Sequence, residues 1–123
     1  MIIAVMGAGE PSSEVADLAE KIGQELGKWG MTLVCGALGG VMEAACRGAK
    51  AEGARLLGFL PGSDPKAANP WVDYPICTGL SSARNVIIVK TGRAVIAVGG
   101  AYGILSEIRW ALSDGLPVVG LRT

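Results

Sequence analysis

Two periods of apolar and polar positions alternate along this chain. Short aliphatic runs at 2–6, 31–35, 55–60, 74–77, 93–98 and 117–121 carry few polar interruptions, which predicts strands buried on both faces. Between the first two runs the spacing changes. Val15, Leu18, Ala19, Ile22, Leu26 and Trp29 fall on one face of a helix, and Glu14, Asp17, Lys21, Glu25 and Lys28 on the other. Ser12 and Ser13 are good cap residues before that helix, and Gly30 is the expected stop after it. A second helical pattern covers 41–52 and ends at Gly53, and a third covers 104–114 and ends at Gly115. The segment 81–91 mixes signals. Val86, Ile87, Ile88 and Val89 favour a strand, but Ser81 and Ser82 as caps and Gly92 as a stop predict a helix. Positions 61–73 form a loop rich in Pro, Gly and Asn with no helical pattern, and loops of that length usually carry function or move.

Alternating strand and helix with fully apolar strands predicts a parallel sheet covered on both sides. Right-handed crossovers then make it an α/β, Rossmann-like, doubly wound sheet of about six strands, with helices on both faces. At 123 residues, without linkers or repeats, the chain reads as one domain spanning 1–123. Such sheets bind ligands beyond the carboxyl ends of their strands, near the topological switch point. That places three glycine-bearing loops, 7–13, 36–40 and 99–103, around one crevice.

Composition narrows the chemistry. Gly reaches 19 without a collagen-like period, which calls for tight turns or close backbone approaches. The net charge is zero from 11 basic and 11 acidic residues, so there is no basic footprint for nucleic acid. Histidine is absent, which removes the commonest general base and metal ligand. Cys35, Cys46 and Cys77 lack metal spacing and read as small buried apolar residues in a reducing, cytoplasmic compartment. No apolar stretch is long enough to span a membrane, and 1–6 is too short for a signal segment.

The helix starting at Val41 follows Gly39 and Gly40 and has no capping side chain. Its first N–H groups and its dipole therefore offer an anion site, unless water or a neighbouring loop takes the donors. The same argument places a phosphate near the backbone of Gly100 and Tyr102. The loop Gly7-Ala8-Gly9-Glu10-Pro11-Ser12 is not a dinucleotide fingerprint. Ser12 stands where the third glycine belongs, and the run 31–35 ends without a ribose-binding acid, so NAD is not expected. Ser12 offers a hydroxyl either to a phosphate or to the helix it precedes. Arg84 lies in the first turn of its predicted helix, where a cation opposes the dipole. It reads equally as the mark of a nearby anion or as a solvated arginine. Glu107, in a first turn, is favoured there by the dipole alone.

The segment Val98-Gly99-Gly100-Ala101-Tyr102-Gly103-Ile104-Leu105-Ser106-Glu107 resembles the PGGxGTxxE signature of the Lonely Guy (LOG) family, long labelled "possible lysine decarboxylase". The resemblance covers nearly the whole chain, with Gly36 to Gly40 and Gly7 to Gly9 matching the two earlier turns. It implies a phosphoribohydrolase that cleaves the N-glycosidic bond of nucleoside 5′-monophosphates, with Arg84 and Glu107 catalytic. Val98 replaces the motif proline, Ile104 the phosphate-binding threonine, and Asn85 a lysine. The chain is more similar to a sister branch, the molybdenum cofactor carrier proteins, which bind a phosphate-bearing pterin. No lysine sits in a cofactor context, so a pyridoxal phosphate decarboxylase is not expected.

The reading that follows is a carrier or sensor of a nucleotide-like or molybdopterin-type phosphorylated small molecule, with LOG-type hydrolysis as the alternative. Its expected contacts are Gly7, Gly9, Ser12, Gly36, Gly39, Gly40, Arg84, Gly99, Gly100, Tyr102 and Gly103. Trp110, Ala111 and Leu112 give the last helix more apolar surface than one sheet face needs, which predicts a homodimer or homotetramer.

Overall fold

The computed structural model describes residues 1–99, 113 and 115–121. Within them the elements run β1 (Ile2–Gly7), α1 (Ser13–Lys28), β2 (Thr32–Cys35), α2 (Val41–Ala51), β3 (Leu56–Leu60), β4 (Tyr74–Cys77), α3 (Arg84–Thr91), β5 (Ala94–Val98) and β6 (Val118–Leu121). Single 3₁₀ turns at Pro65–Ala67 and Ser81–Ala83 punctuate the two loops of the third and fourth connections. All five strand pairings are parallel, in the order β4-β3-β2-β1-β5-β6. This is the six-stranded α/β, Rossmann-like sheet that the strand pattern predicts. The order reverses at β1, which lies between β2 and β5, so the switch point is at the carboxyl ends of β1 and β5.

The two faces follow from the pleat. Val5, Leu33, Cys35, Leu56 and Val98 point to the side of α1 and α2, and pack with Ala19, Val41, Ala45 and Ala49. Ala4, Met6, Val34 and Val95 point to the other side and pack with Ile88 and Val89 of α3. Successive residues of β1, β2, β3 and β5 thus serve opposite cores, which is why these strands read as unbroken apolar runs. The run 74–77, expected to be buried on both faces, is instead exposed along its length, because β4 is an edge strand of the sheet.

The excess of glycine has a structural share that the sequence pattern does not reveal. Helices α1 and α2 cross backbone to backbone. A Cβ at Gly23 would overlap the Ala45 carbonyl oxygen, and one at Gly48 would overlap the Glu20 carbonyl oxygen. Gly27 is similarly confined, with Glu52 Cβ at 2.7 Å and Ala49 O at 3.0 Å from a built Cβ.

Four further expectations change. The face predicted for α1 holds except at its last residue. Ala19 is buried with Gly23 and Gly27, and Val15, Leu18, Ile22 and Leu26 pack at its margin, but Trp29 is 74% exposed. Trp29 instead lines an apolar groove of about 420 Å³ with Ile22, Leu26 and Ile96, on the side of α1 near the amino ends of the strands. Ser81 and Ser82 do not cap α3. Ser81 has φ +52° and opens a 3₁₀ turn, and no side-chain hydrogen bond caps the helix that follows. Cys77 is exposed on the edge strand β4, whereas Cys35 and Cys46 are buried as expected. The loop 61–73 does hold one helical turn, started by Asp64, whose carboxylate accepts the Lys66 N–H at 2.9 Å.

Of the helix predicted over 104–114 only Ser113, which is helical, is among the described residues; the Trp110 face lies outside them. No described helix is long and apolar enough to cross a membrane.

Candidate functional site: the crevice at the carboxyl ends of β1 and β2

Two of the three predicted loops can be followed to the switch point, and the glycines in them fall into two groups. Those of the first group make room for the protein itself. Gly7 faces the Val41 side chain and the Val98 carbonyl, so β1 can abut α2 and β5. Gly36 leaves space for a guanidinium: a built Cβ would lie 3.0 Å from Arg84 Nη2 and 2.8 Å from Met42 Sδ. Gly40 has φ +70° and ψ −130°, and a Cβ there would overlap the carbonyl oxygens of Ala8 and Gly9. Gly99 has φ +75° and approaches Val15 Cγ1. The second group is open. A Cβ at Gly9 would meet nothing within 4 Å, and one at Gly39 only Glu43 Oε1 at 3.9 Å.

The start of α2 has the uncapped character expected, with one correction. Gly40 supplies no side-chain cap, but a neighbouring loop takes the first donor: Val41 N–H donates to Ala8 O at 3.0 Å. Among the described residues no acceptor reaches the N–H groups of Leu38, Gly39, Met42 or Glu43. These donors cluster at a helix N-terminus, where backbone N–H groups and the dipole favour an anion. Glu43 places a carboxylate beside them, an acceptor for ligand N–H groups.

Ser12 acts as a cap: its hydroxyl oxygen accepts the Val15 N–H at 3.3 Å. Arg84 is not the solvated arginine of one sequence reading, since it is only 8% exposed. Its Nε donates to Phe59 O at 2.8 Å, Nη1 to Ser81 O at 3.1 Å and Nη2 to Gly36 O at 3.4 Å. The negative partners that offset its place in the first turn of α3 include backbone carbonyls at the ends of β2 and β3. Arg84→Lys, which keeps the charge but loses the fork, should lower unfolding free energy by about 1.5–3 kcal/mol, read by urea denaturation. Gly100, Tyr102, Gly103 and Glu107 lie outside the described residues, as does Ile104.

Three features of the site were not foreseen. Ala37 adopts φ +69°, in the left-handed region uncommon for a residue with a side chain. Asn69, in the loop between β3 and β4, is buried and grips the turn: its Nδ2 donates to Ala37 O at 3.3 Å and Leu38 O at 3.0 Å, and its Oδ1 accepts the Trp71 N–H at 3.1 Å. The composition of the loop marks it as functional, but nothing in the pattern singles out Asn69. Finally, Cys35 Sγ lies 3.5 Å from Cys46 Sγ and accepts the Ala37 N–H at 3.4 Å. The hydrogen bond with Cys46 holds the Cys35 thiol below its usual range against burial, helped by Ala37 N–H and the Arg84 charge. The same contact and burial push Cys46 up.

The carboxyl edge of this Rossmann-like sheet thus brings together, after β1 and β2, two open glycines and four backbone donors that meet no acceptor among the described residues. The chain belongs to the SLOG cluster4 family, whose model matches residues 1–123. It is 43% identical over 122 residues to an uncharacterized protein of Archaeoglobus fulgidus, covering 99% of this chain and 80% of that one. Among solved structures it is similar to the molybdenum cofactor binding protein of Rippkaea orientalis, at 39% identity and a TM-score of 0.93, covering 97% of this chain and 74% of that one. It is also similar to the molybdenum cofactor carrier protein of Chlamydomonas reinhardtii, at 36% identity and a TM-score of 0.91, covering 99% and 77%. Membership is thus shown for the SLOG cluster4 family, and the molybdenum cofactor carrier resemblance is matched by solved structures. The narrower LOG assignment has no counterpart among these relatives.

Proposed function

We propose that this protein binds a molybdopterin-type cofactor as cargo, as a carrier or sensor, and seats its phosphate on the backbone donors of Leu38, Gly39, Met42 and Glu43. One observation carries the reading: these four N–H groups have no acceptor among the described residues, at the point where Gly39 leaves open space. Unsatisfied donors that converge at an open helix start fit a phosphate. The Glu43 carboxylate beside them fits the N–H edge of a pterin ring. The solved relatives named as cofactor binding or carrier proteins support the choice of cargo. Turnover of a nucleoside monophosphate would need Arg84 to act on the ligand, whereas three of its nitrogens are engaged with carbonyls of the chain.

The test is the ligand that accompanies the protein. Material purified from cells that make the cofactor, then denatured, should release a phosphorylated pterin near one equivalent per chain by mass spectrometry. The same protein incubated with AMP should release no adenine. Release of adenine, or a nucleotide in place of the pterin, would overturn the reading.

A further inference from the structure

We propose that Asn69 is the positioning residue of this anion site, a role that rests on the phosphate reading above. Its two donated hydrogen bonds go to consecutive carbonyls, those of Ala37 and Leu38. The described peptide bonds are all trans, and in a trans peptide the N–H points opposite the C=O of the same plane. Fixing the Ala37 carbonyl toward Asn69 therefore turns the Leu38 N–H away from it. Fixing the Leu38 carbonyl does the same for the Gly39 N–H. The result is two successive backbone donors on one side of the turn, the arrangement that makes an anion-binding concavity. They are two of the four donors that find no acceptor among the described residues.

The turn needs such a hold. Ala37 sits at φ +69°, a conformation that a residue with a Cβ keeps only when its surroundings impose it. The Asn69 backbone N–H also donates to Ala37 O, at 2.8 Å, so this carbonyl is held twice. Asn69 is in turn fixed through Oδ1 by Trp71 N–H and is 8% exposed, so it has little freedom to release the turn. The long loop between β3 and β4 thus acts as a buckle whose purpose is to aim the backbone of the loop after β2.

The test uses inorganic phosphate as the probe and amide NMR as the readout. In the wild type the Leu38 and Gly39 amide signals should shift saturably with phosphate. Asn69→Ala should weaken that affinity about tenfold or more, the loss expected for donors no longer aimed. Asn69→Asp should weaken it further, because it keeps the acceptor for Trp71 N–H but sets an oxygen against the two carbonyls. Thr78→Val is the structural control. It removes two hydrogen bonds of the same region, Thr78 Oγ1 donating to Leu60 O at 2.7 Å and accepting Leu80 N–H at 3.1 Å, away from the turn, and should leave phosphate affinity unchanged. If Asn69→Ala does not fold, Asn69→Ser, which keeps a donor, is read in its place and should lose less than the aspartate variant. Wild-type affinity in the Asn69 variants, or an equal loss in Thr78→Val, overturns the positioning role and leaves the site reading intact. Absence of saturable shifts at Leu38 and Gly39 in the wild type overturns both.

Discussion

Gly40→Ala should lower unfolding free energy by about 3 kcal/mol or more and abolish ligand binding, even under conditions where the variant stays folded. Two costs add at this position. The backbone has φ +70° and ψ −130°, a region that glycine adopts freely and that costs other residues about 1–3 kcal/mol. The new Cβ would also overlap the carbonyl oxygens of Ala8 and Gly9, which are backbone atoms and cannot rotate away. The loop after β1 must then withdraw from α2. That breaks the Val41 N–H to Ala8 O hydrogen bond, which sets the two loops side by side. Because the proposed phosphate donors flank Gly40, the loss of binding should exceed what destabilisation alone explains. Urea denaturation combined with phosphate titration of the folded fraction checks both parts. A variant that folds with wild-type stability would contradict the close packing of these loops.

Gly48→Ala carries a prediction of sign as well as size. In an open helix the change gains about 1 kcal/mol, because alanine has the higher helix propensity. Here it should instead cost about 4 kcal/mol or more, since the added methyl would overlap the Glu20 carbonyl oxygen across the α1–α2 crossing and would lie close to Gln24 N. Both helices cover the same core, so separating them exposes Val5, Leu33 and Val41 together. Thermal unfolding followed by circular dichroism reads the outcome. A rise in melting temperature would mean that the helices stand farther apart than described.

These two glycines also show where sequence reasoning stops. The central strand runs were legible because β1, β2, β3 and β5 supply both cores and are almost wholly apolar, and all six runs were placed within one residue at either end, although β4 proves exposed along its length. The helices α1 and α2 were legible from their spacing, and the place of the switch point followed from the topology. What one glycine does was not legible. Gly36, Gly39 and Gly40 look alike in sequence, yet one makes room for Arg84, one faces open space and one yields to a neighbouring loop. Only the three-dimensional neighbours distinguish them. Arg84 was placed in the first turn of its helix, but its acceptors come from β3, from the loop after β2 and from the turn before the helix. Asn69 and Ala37 lie 32 positions apart, and no local pattern joins them. The serine pair at 81–82 misled because cap propensity is a local signal, and Ser81 is held at φ +52° by a loop whose N–H bonds reach back to Pro61 and Gly62.

Whether a phosphate sits on the backbone at the start of α2 is read most directly from a crystal structure of the protein with its phosphorylated cargo. Phosphate oxygens should lie about 2.7–3.2 Å from the nitrogens of Gly39 and of Leu38, Met42 or Glu43. A cargo bound with its phosphate elsewhere, as in the apolar groove beside Trp29, with these donors left to water, would contradict that placement.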